Sequence, residues 1–247
     1  MAIPLYLAMT AAEFQADIPL PDAAAWMACH FSPYGTGLSN CPTSLPPGAM
    51  LIVNDRTPIH GHSPEVICNQ LQELVSEFHL EKILLDFQRP GEQETRALVE
   101  ILTSQLPCAV AVSEAYTVEG SYPVFLPPPP LHIPLKDYLA PWSDQEIWLE
   151  AAAICASYTI TEKGCRICTE FPVDSDTLPL PDTDLHCRYR LDIQSDSAHF
   201  LLQRTKEEVC QQLQEAEALG VTTAVGLFQD LGKIIITGRA GGMHRPP

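Results

Sequence analysis

Short apolar runs of strand length recur along almost the whole chain, and this recurrence constrains the fold more than any other feature. Leu5 to Met9, Trp26 to Phe31, Met50 to Asp55, Ile83 to Phe87, Ala109 to Ser113, Tyr122 to Leu126, Ile147 to Ala151 and Thr223 to Phe228 read as eight strands. Helical patterns separate several of them. Ser63 supplies an N-cap, Pro64 a first helical position and Glu65 an early acid, after which Val66, Leu71, Leu74 and Phe78 continue at helical spacing. Thr95 to Gln105 reads as a second helix, and Glu207 to Leu219 as a third that closes at Gly220. Strands alternating with helices are the mark of parallel βαβ units. Eight of them in 247 residues predict an α/β fold, a (β/α)8 TIM barrel in a single domain.

The period changes between the seventh strand and the last helix. Tyr158 to Thr161, Cys165 to Phe171, His186 to Ile193 and His199 to Gln203 alternate in polarity, punctuated by Lys163-Gly164 and Ser195-Asp196-Ser197. These are antiparallel hairpins, so a small antiparallel insertion over about 155–203 is expected within a domain spanning 1–232. The remainder, 233–247, starts apolar at Ile234-Ile235-Ile236, turns Gly-rich and is expected to be a tail. Ser32 to Gly48 is a Gly- and Pro-rich loop, and the proline run from Pro127 to Pro130 forbids ladder pairing beyond the sixth strand.

Apolar residues make up 46% of the chain and charged residues 18%, enough apolar material for a sizeable core. The net charge of −17, from 31 acidic and 14 basic residues, disfavours nucleic acid and anionic membrane surfaces as partners. A carbohydrate or other small neutral ligand fits better. The N-terminus lacks a basic segment followed by an apolar core and a small-residue cleavage site, and no apolar run is long enough to span a bilayer, so a cytoplasmic protein is expected. The nine cysteines are odd in number and scattered, several of them in apolar stretches as Cys68, Cys108 and Cys155 are, which suits reduced thiols.

The stretch Glu81-Lys82-Ile83-Leu84-Leu85-Asp86-Phe87-Gln88-Arg89-Pro90 reads as a buried strand ending in a carboxylate and a carboxamide. Alternation places Leu84, Asp86 and Gln88 on one face and Ile83, Leu85 and Phe87 on the other. The stretch resembles the signature strand of glycoside hydrolase family 18, the chitinase and spore-lysin family, whose alternating acids end in a catalytic Glu. The resemblance puts Glu81 at the outlying first acid and Leu84 where the family has an Asp. It puts Asp86 at the Asp that assists the substrate acetamido group, and Gln88 where the proton-donating Glu belongs. The antiparallel insertion after the seventh strand and the closing helix and strand also match the family's plan. The resemblance thus implies a barrel with a degenerate catalytic motif, one that binds a glycan or related ligand and is catalytically impaired, because an amide has no labile acid proton near neutral pH.

A barrel's ligand site lies at the C-terminal ends of its strands. Those ends offer Asp55 with Arg56, Asp86 with Gln88, Glu114, Glu150, and Gln229 with Asp230. Such acids also serve as N-caps. An active glycoside hydrolase remains an alternative, with Asp86 paired to Glu114 or Glu150 as the two catalytic carboxylates. A scaffold for protein interaction is another. Phe31, Tyr34, Tyr116, Trp142 and Trp148 are available to stack on sugars, with Tyr116 and Trp148 as candidate substrate-binding residues, although core or loop packing is favoured for most of them. Arg56 and Arg89 follow strand-end acids, where a local ion pair with Asp55 or Asp86 is favoured over a grip on a ligand. No cofactor or metal is indicated. Cys165 and Cys168, with His186 and Cys187, only superficially suggest zinc, since residues three apart on a strand face opposite sides. Gly35-Thr36-Gly37 lacks the following helix of a phosphate loop.

Overall fold

The computed structural model describes residues 3–16, 18–89, 93–117 and 122–232, so the predicted tail lies outside the described residues. The chain begins with β1 (Leu5–Met9), a one-turn α1 (Ala11–Gln15) and β2 (Ala24–Phe31), which turns back on a two-residue β3 (Leu38–Ser39). β4 (Met50–Asn54), α2 (Pro64–Phe78), β5 (Lys82–Asp86), α3 (Gln93–Gln105) and β6 (Ala109–Ser113) follow. Next come β7 (Val124–Leu126), α4 (Leu135–Leu139) and β8 (Ile147–Ala151). After the antiparallel segment, α5 (Lys206–Ala218) leads to β14 (Val221–Leu227). Strands β1, β2, β4, β5, β6, β7, β8 and β14 pair in parallel, and the β1–β2 and β1–β14 ladders close them into an eight-stranded barrel.

Strands such as Leu51-Ile52-Val53 and Ile83-Leu84-Leu85 are continuously apolar because both of their faces are buried. Alternation sorts them into two layers. Tyr6, Ala25, Ile52, Leu84, Ala111, Phe125, Trp148 and Val225 fill the barrel, while Leu51, Val53, Ile83, Leu85 and Phe87 pack outward under α2 and α3. α2 is started by Ser63, whose hydroxyl accepts from Val66 N–H, and it ends at His79 in the left-handed conformation. α5 opens on a capping box formed by Thr205 and Glu208.

Every predicted barrel strand is present, with ends displaced by one or two residues at β2, β4, β5, β7 and β14. Helical cover is thinner than strict βα alternation predicts. Among the described residues the β2–β4 connection carries only β3, and the β6–β7 connection only a 3-10 turn over Glu114–Tyr116. α1, α4 and β3 leave no pattern long enough to recognise in sequence. A register shift between Trp26 and Cys29 in β2 was also beyond sequence reasoning; it places both Met27 and Ala28 on the wall of the barrel mouth.

The antiparallel segment forms a five-stranded sheet of β9 (Cys155–Thr161), β10 (Gly164–Thr169), β11 (Leu180–Asp182), β12 (Cys187–Ile193) and β13 (Ser197–Gln203), in the order β10-β9-β13-β12-β11. The short β11 was not anticipated. Tyr158, Cys187 and Leu202 pack this sheet on Leu131 of the β7–α4 loop. The buried Arg204 guanidinium donates to the carbonyls of Pro129, Leu185 and His186, which ties the sheet to that loop through backbone alone. Among the described residues no helix is long and apolar enough to cross a membrane.

Candidate functional site

Strand parity builds the site. In β5 the inward Leu84 is followed two residues on by Asp86, and in β8 the inward Trp148 is followed by Glu150. In β4 Ile52 is likewise followed by Asn54, the register partner of Asp86. The apolar barrel filling is therefore capped, at the C-terminal end, by a polar layer. That layer is the floor of an open cavity of about 510 Å³, whose wall includes Thr10, Met27, His30, Asn40, Arg56 and Phe125.

The charges on this floor are crowded. Burial raises the Glu150 carboxyl from its ordinary 4.5 to about 7, and the nearby Asp86 charge adds to the rise. Asp86 is also raised, chiefly by burial and secondarily by Asp55, against the opposing pull of two hydrogen bonds. Those come from Gln88 Nε2 at 2.5 Å and Ser113 Oγ at 3.4 Å, both onto Asp86 Oδ1. Gln88, Ser113, Glu114, Phe125 and Glu150 also share a small recess of about 60 Å³. Tyr138 donates its hydroxyl to the Pro127 carbonyl at 2.9 Å, and its phenol is raised by burial and then by the charges of Glu114 and Glu150. The arrangement presents a carboxyl raised to about 7, a second carboxyl and a carboxamide, able to donate to and accept from hydroxyl and amide groups.

Of the residues expected at the mouth, Asp86, Gln88, Glu114 and Glu150 come together, and Arg56 lies on the wall of the same cavity. The others lie elsewhere. Asp55 is buried below the rim, where its Oδ1 accepts Gln88 N–H at 3.0 Å and its Oδ2 accepts Arg89 N–H at 2.7 Å. The Arg89 guanidinium does not form the side-chain ion pair favoured from sequence. It donates to the carbonyls of Asp55 and Arg56, at 2.8 and 2.9 Å. Tyr116 is buried edge-on against Phe87, with its hydroxyl on the Arg89 carbonyl. Trp148 is buried inside the barrel, its indole N–H on Glu146 Oε1 at 3.0 Å and Lys82 over its ring. Asp230 lines a separate cavity with Arg204 and Lys206. Phe31 is buried, Trp142 packs partly buried near α4, and Tyr34 is 97% exposed.

Asn54 and Phe125 could have been found by extending strand alternation one step past each apolar pair. His30 and Asn40 could not, because a register shift and a left-handed residue (Asn40 φ 54°) place them. Cys165 and Cys168 lie on β10, opposite Ile160 and Ser157 of β9, and so face opposite sides of the sheet. Among the described residues no group of three or more His, Cys, Asp or Glu is arranged to hold a metal ion.

No protein-family model matches the chain, and no curated protein matches it by sequence. Solved structures match by fold. The C-terminal domain of a putative chitinase from Desulfitobacterium hafniense superposes with a TM-score of 0.57 at 10% identity, covering 97% of this chain and 97% of that one. A GH18 chitinase from Cycas revoluta, solved as a variant with a Glu-to-Gln exchange in complex with (GlcNAc)4, gives 0.55 at 12% identity, covering 96% and 98%. The spore cortex-lytic enzyme SleL of Bacillus cereus gives 0.52 at 9% identity, covering 91% and 70%. The fold is that of the GH18 chitinases, as the signature-strand resemblance implied.

Proposed function

We propose that the protein binds an N-acetylated glycan at the barrel mouth and is impaired in hydrolysing it by the route its fold implies. The observation that carries this reading is the carboxamide of Gln88 at the end of β5, held to Asp86 Oδ1 at 2.5 Å. Retaining hydrolysis of the kind the resemblance implies needs a carboxylic acid there to protonate the leaving oxygen, and an amide cannot supply that proton. It can still donate and accept hydrogen bonds. The Cycas revoluta chitinase carrying a Glu-to-Gln exchange was solved with a tetrasaccharide, so a carboxamide in such a barrel is compatible with oligosaccharide binding. Asn54, Arg56, Asp86 and Glu150 supply further polar contacts for a sugar, with Phe125 as an apolar surface.

One observation favours a second reading. Glu150 faces the same cavity as Asp86 and titrates at about 7, where a general acid works best at neutral pH. In that case Glu150 protonates the leaving group and Asp86 is its partner.

Calorimetric titration with chitotetraose, alongside hydrolysis of chromogenic chito-oligosaccharides, separates the two. The first reading expects wild type to bind without turnover, Gln88→Glu to gain activity by on the order of 10²–10⁴-fold, and Asp86→Ala to lose that gain. Wild-type turnover that Glu150→Gln abolishes transfers the assignment to the Glu150–Asp86 pair. Absence of chitotetraose binding in every variant overturns the glycan reading.

A further inference from the structure

The sulfurs of Cys29 and Cys41, twelve residues apart in sequence, stand 3.6 Å from each other. Cys29 lies in β2 at its register shift and is fully buried, while Cys41 lies in the irregular chain after β3 and is partly accessible. Their neighbours are rim residues: His30 follows Cys29, Asn40 precedes Cys41, and both line the main cavity. Asn40 also accepts the Trp26 indole N–H at its carbonyl, at 2.8 Å, so the loop already leans on β2 at this point. No other two cysteine sulfurs among the described residues are hydrogen-bonded to each other.

We propose that Cys29 and Cys41 are an oxidisable dithiol that a peroxide closes into a disulfide, locking the loop over residues 40–48 onto β2 at the rim of the cavity. The roles follow from position. Cys41 is the sulfur a small oxidant can reach, and the hydrogen bond from Cys29 holds its thiol below the ordinary thiol range. Cys29 is pushed up by that same bond and by its burial, and is the resolving thiol. The Cys41 thiolate attacks a peroxide oxygen and the O–O bond breaks. Cys41 becomes a sulfenic acid, and the departing hydroxide takes up a proton to give water. The Cys29 sulfur then attacks the Cys41 sulfur and the S–O bond breaks. The hydroxide leaves as a second water with the Cys29 proton. Two thiols have lost two electrons, the peroxide has been reduced to two waters, and one S–S bond has formed. A bonded pair lies about 2.05 Å apart. The approach is made by the loop, because Cys29 is fixed in the β2–β4 ladder opposite Val53.

The test treats the full chain with hydrogen peroxide, blocks remaining thiols with an alkylating agent, and reads intact mass, cross-linked peptides and thermal unfolding. Expected are a loss of two hydrogens per chain, a dominant Cys29–Cys41 linked peptide, and a melting temperature higher by about 5–10 °C. Dithiothreitol should reverse all three. Cys41→Ser should abolish them, and Cys165→Ser should leave them unchanged. Linkage scattered among other cysteines, or Cys41 oxidised to sulfinic acid while Cys29 is still alkylated, overturns the site. A linked pair with no change in melting overturns the locking. These readouts use no sugar, so they stand whether or not the glycan reading survives.

Discussion

Asp55 and Asp86 stand at the ends of adjacent strands and have opposite surroundings. Both oxygens of Asp55 accept backbone N–H groups, from Gln88 and Arg89. Arg89 in turn caps the carbonyls of Asp55 and Arg56, and Tyr116 closes the knot at the Arg89 carbonyl. Asp86 has a side-chain amide and a hydroxyl for partners, and its charge adds to the rise of the buried Glu150 carboxyl. One region spends its charge on holding the β5 loop in place. The other gathers acids that resist ionising together, the condition from which acid–base and ligand chemistry is drawn. The difference is one residue of register: Asp86 continues the inward alternation of Leu84, whereas Asp55 lies one step past the inward Asn54.

Removing the brace should have the largest effect. Asp55→Ala deletes two charge-assisted hydrogen bonds in a buried setting, each worth roughly 1.5–3 kcal/mol, so a loss of about 3–5 kcal/mol is expected in urea unfolding. A loss under about 1 kcal/mol would erase the contrast between the two aspartates.

The crowded region should respond with the opposite sign. The Glu150 carboxyl titrates at about 7 in the fold and near 4.5 when unfolded. Between these values the native state binds more protons, so stability is full below about pH 4.5 and falls as pH rises towards 7. Above that, burying the charge has cost about 3 kcal/mol. Glu150→Gln should therefore gain up to about 3 kcal/mol at pH 8 and nothing at pH 4. Equal gains at both pH values would show that the carboxyl is not strained by its neighbours.

Trp148→Phe probes beneath the crowded region: it removes the Glu146 bond and the Lys82 contact and leaves a void inside the barrel, so a cost of about 1–3 kcal/mol is expected. Its chitotetraose affinity should equal wild type. Tyr116→Phe sharpens the comparison on the brace side. It removes one hydrogen bond to the Arg89 carbonyl, and a cost of about 1 kcal/mol is expected with chitotetraose affinity unchanged. A tenfold loss of affinity in either variant would return that ring to the sugar site.

The barrel was legible because a strand buried on both faces must be apolar along its length, and eight such runs leave few other closures. The resemblance of Glu81 to Arg89 to the family 18 signature strand rested on a few positions, and no family model matches the chain. Asp86, Gln88, Glu114, Glu150 and Arg56 were legible as neighbours because strand ends converge in a barrel. Tyr116 and Asp230 were not, since the 3-10 turn at Glu114–Tyr116 and the turn after β14 set their directions. Alternation does not run through turns.

By itself the sequence determined the closed barrel, its antiparallel insertion and a carboxamide at the end of the fourth barrel strand, because these depend on residue type and on short-range period. Only the tertiary structure decided which acids crowd one another, which is folded away as a brace, and which two sulfurs meet. Burial, field and hydrogen-bond supply at a side chain are set by segments distant in the chain, and a one-residue shift in β2 is enough to change them.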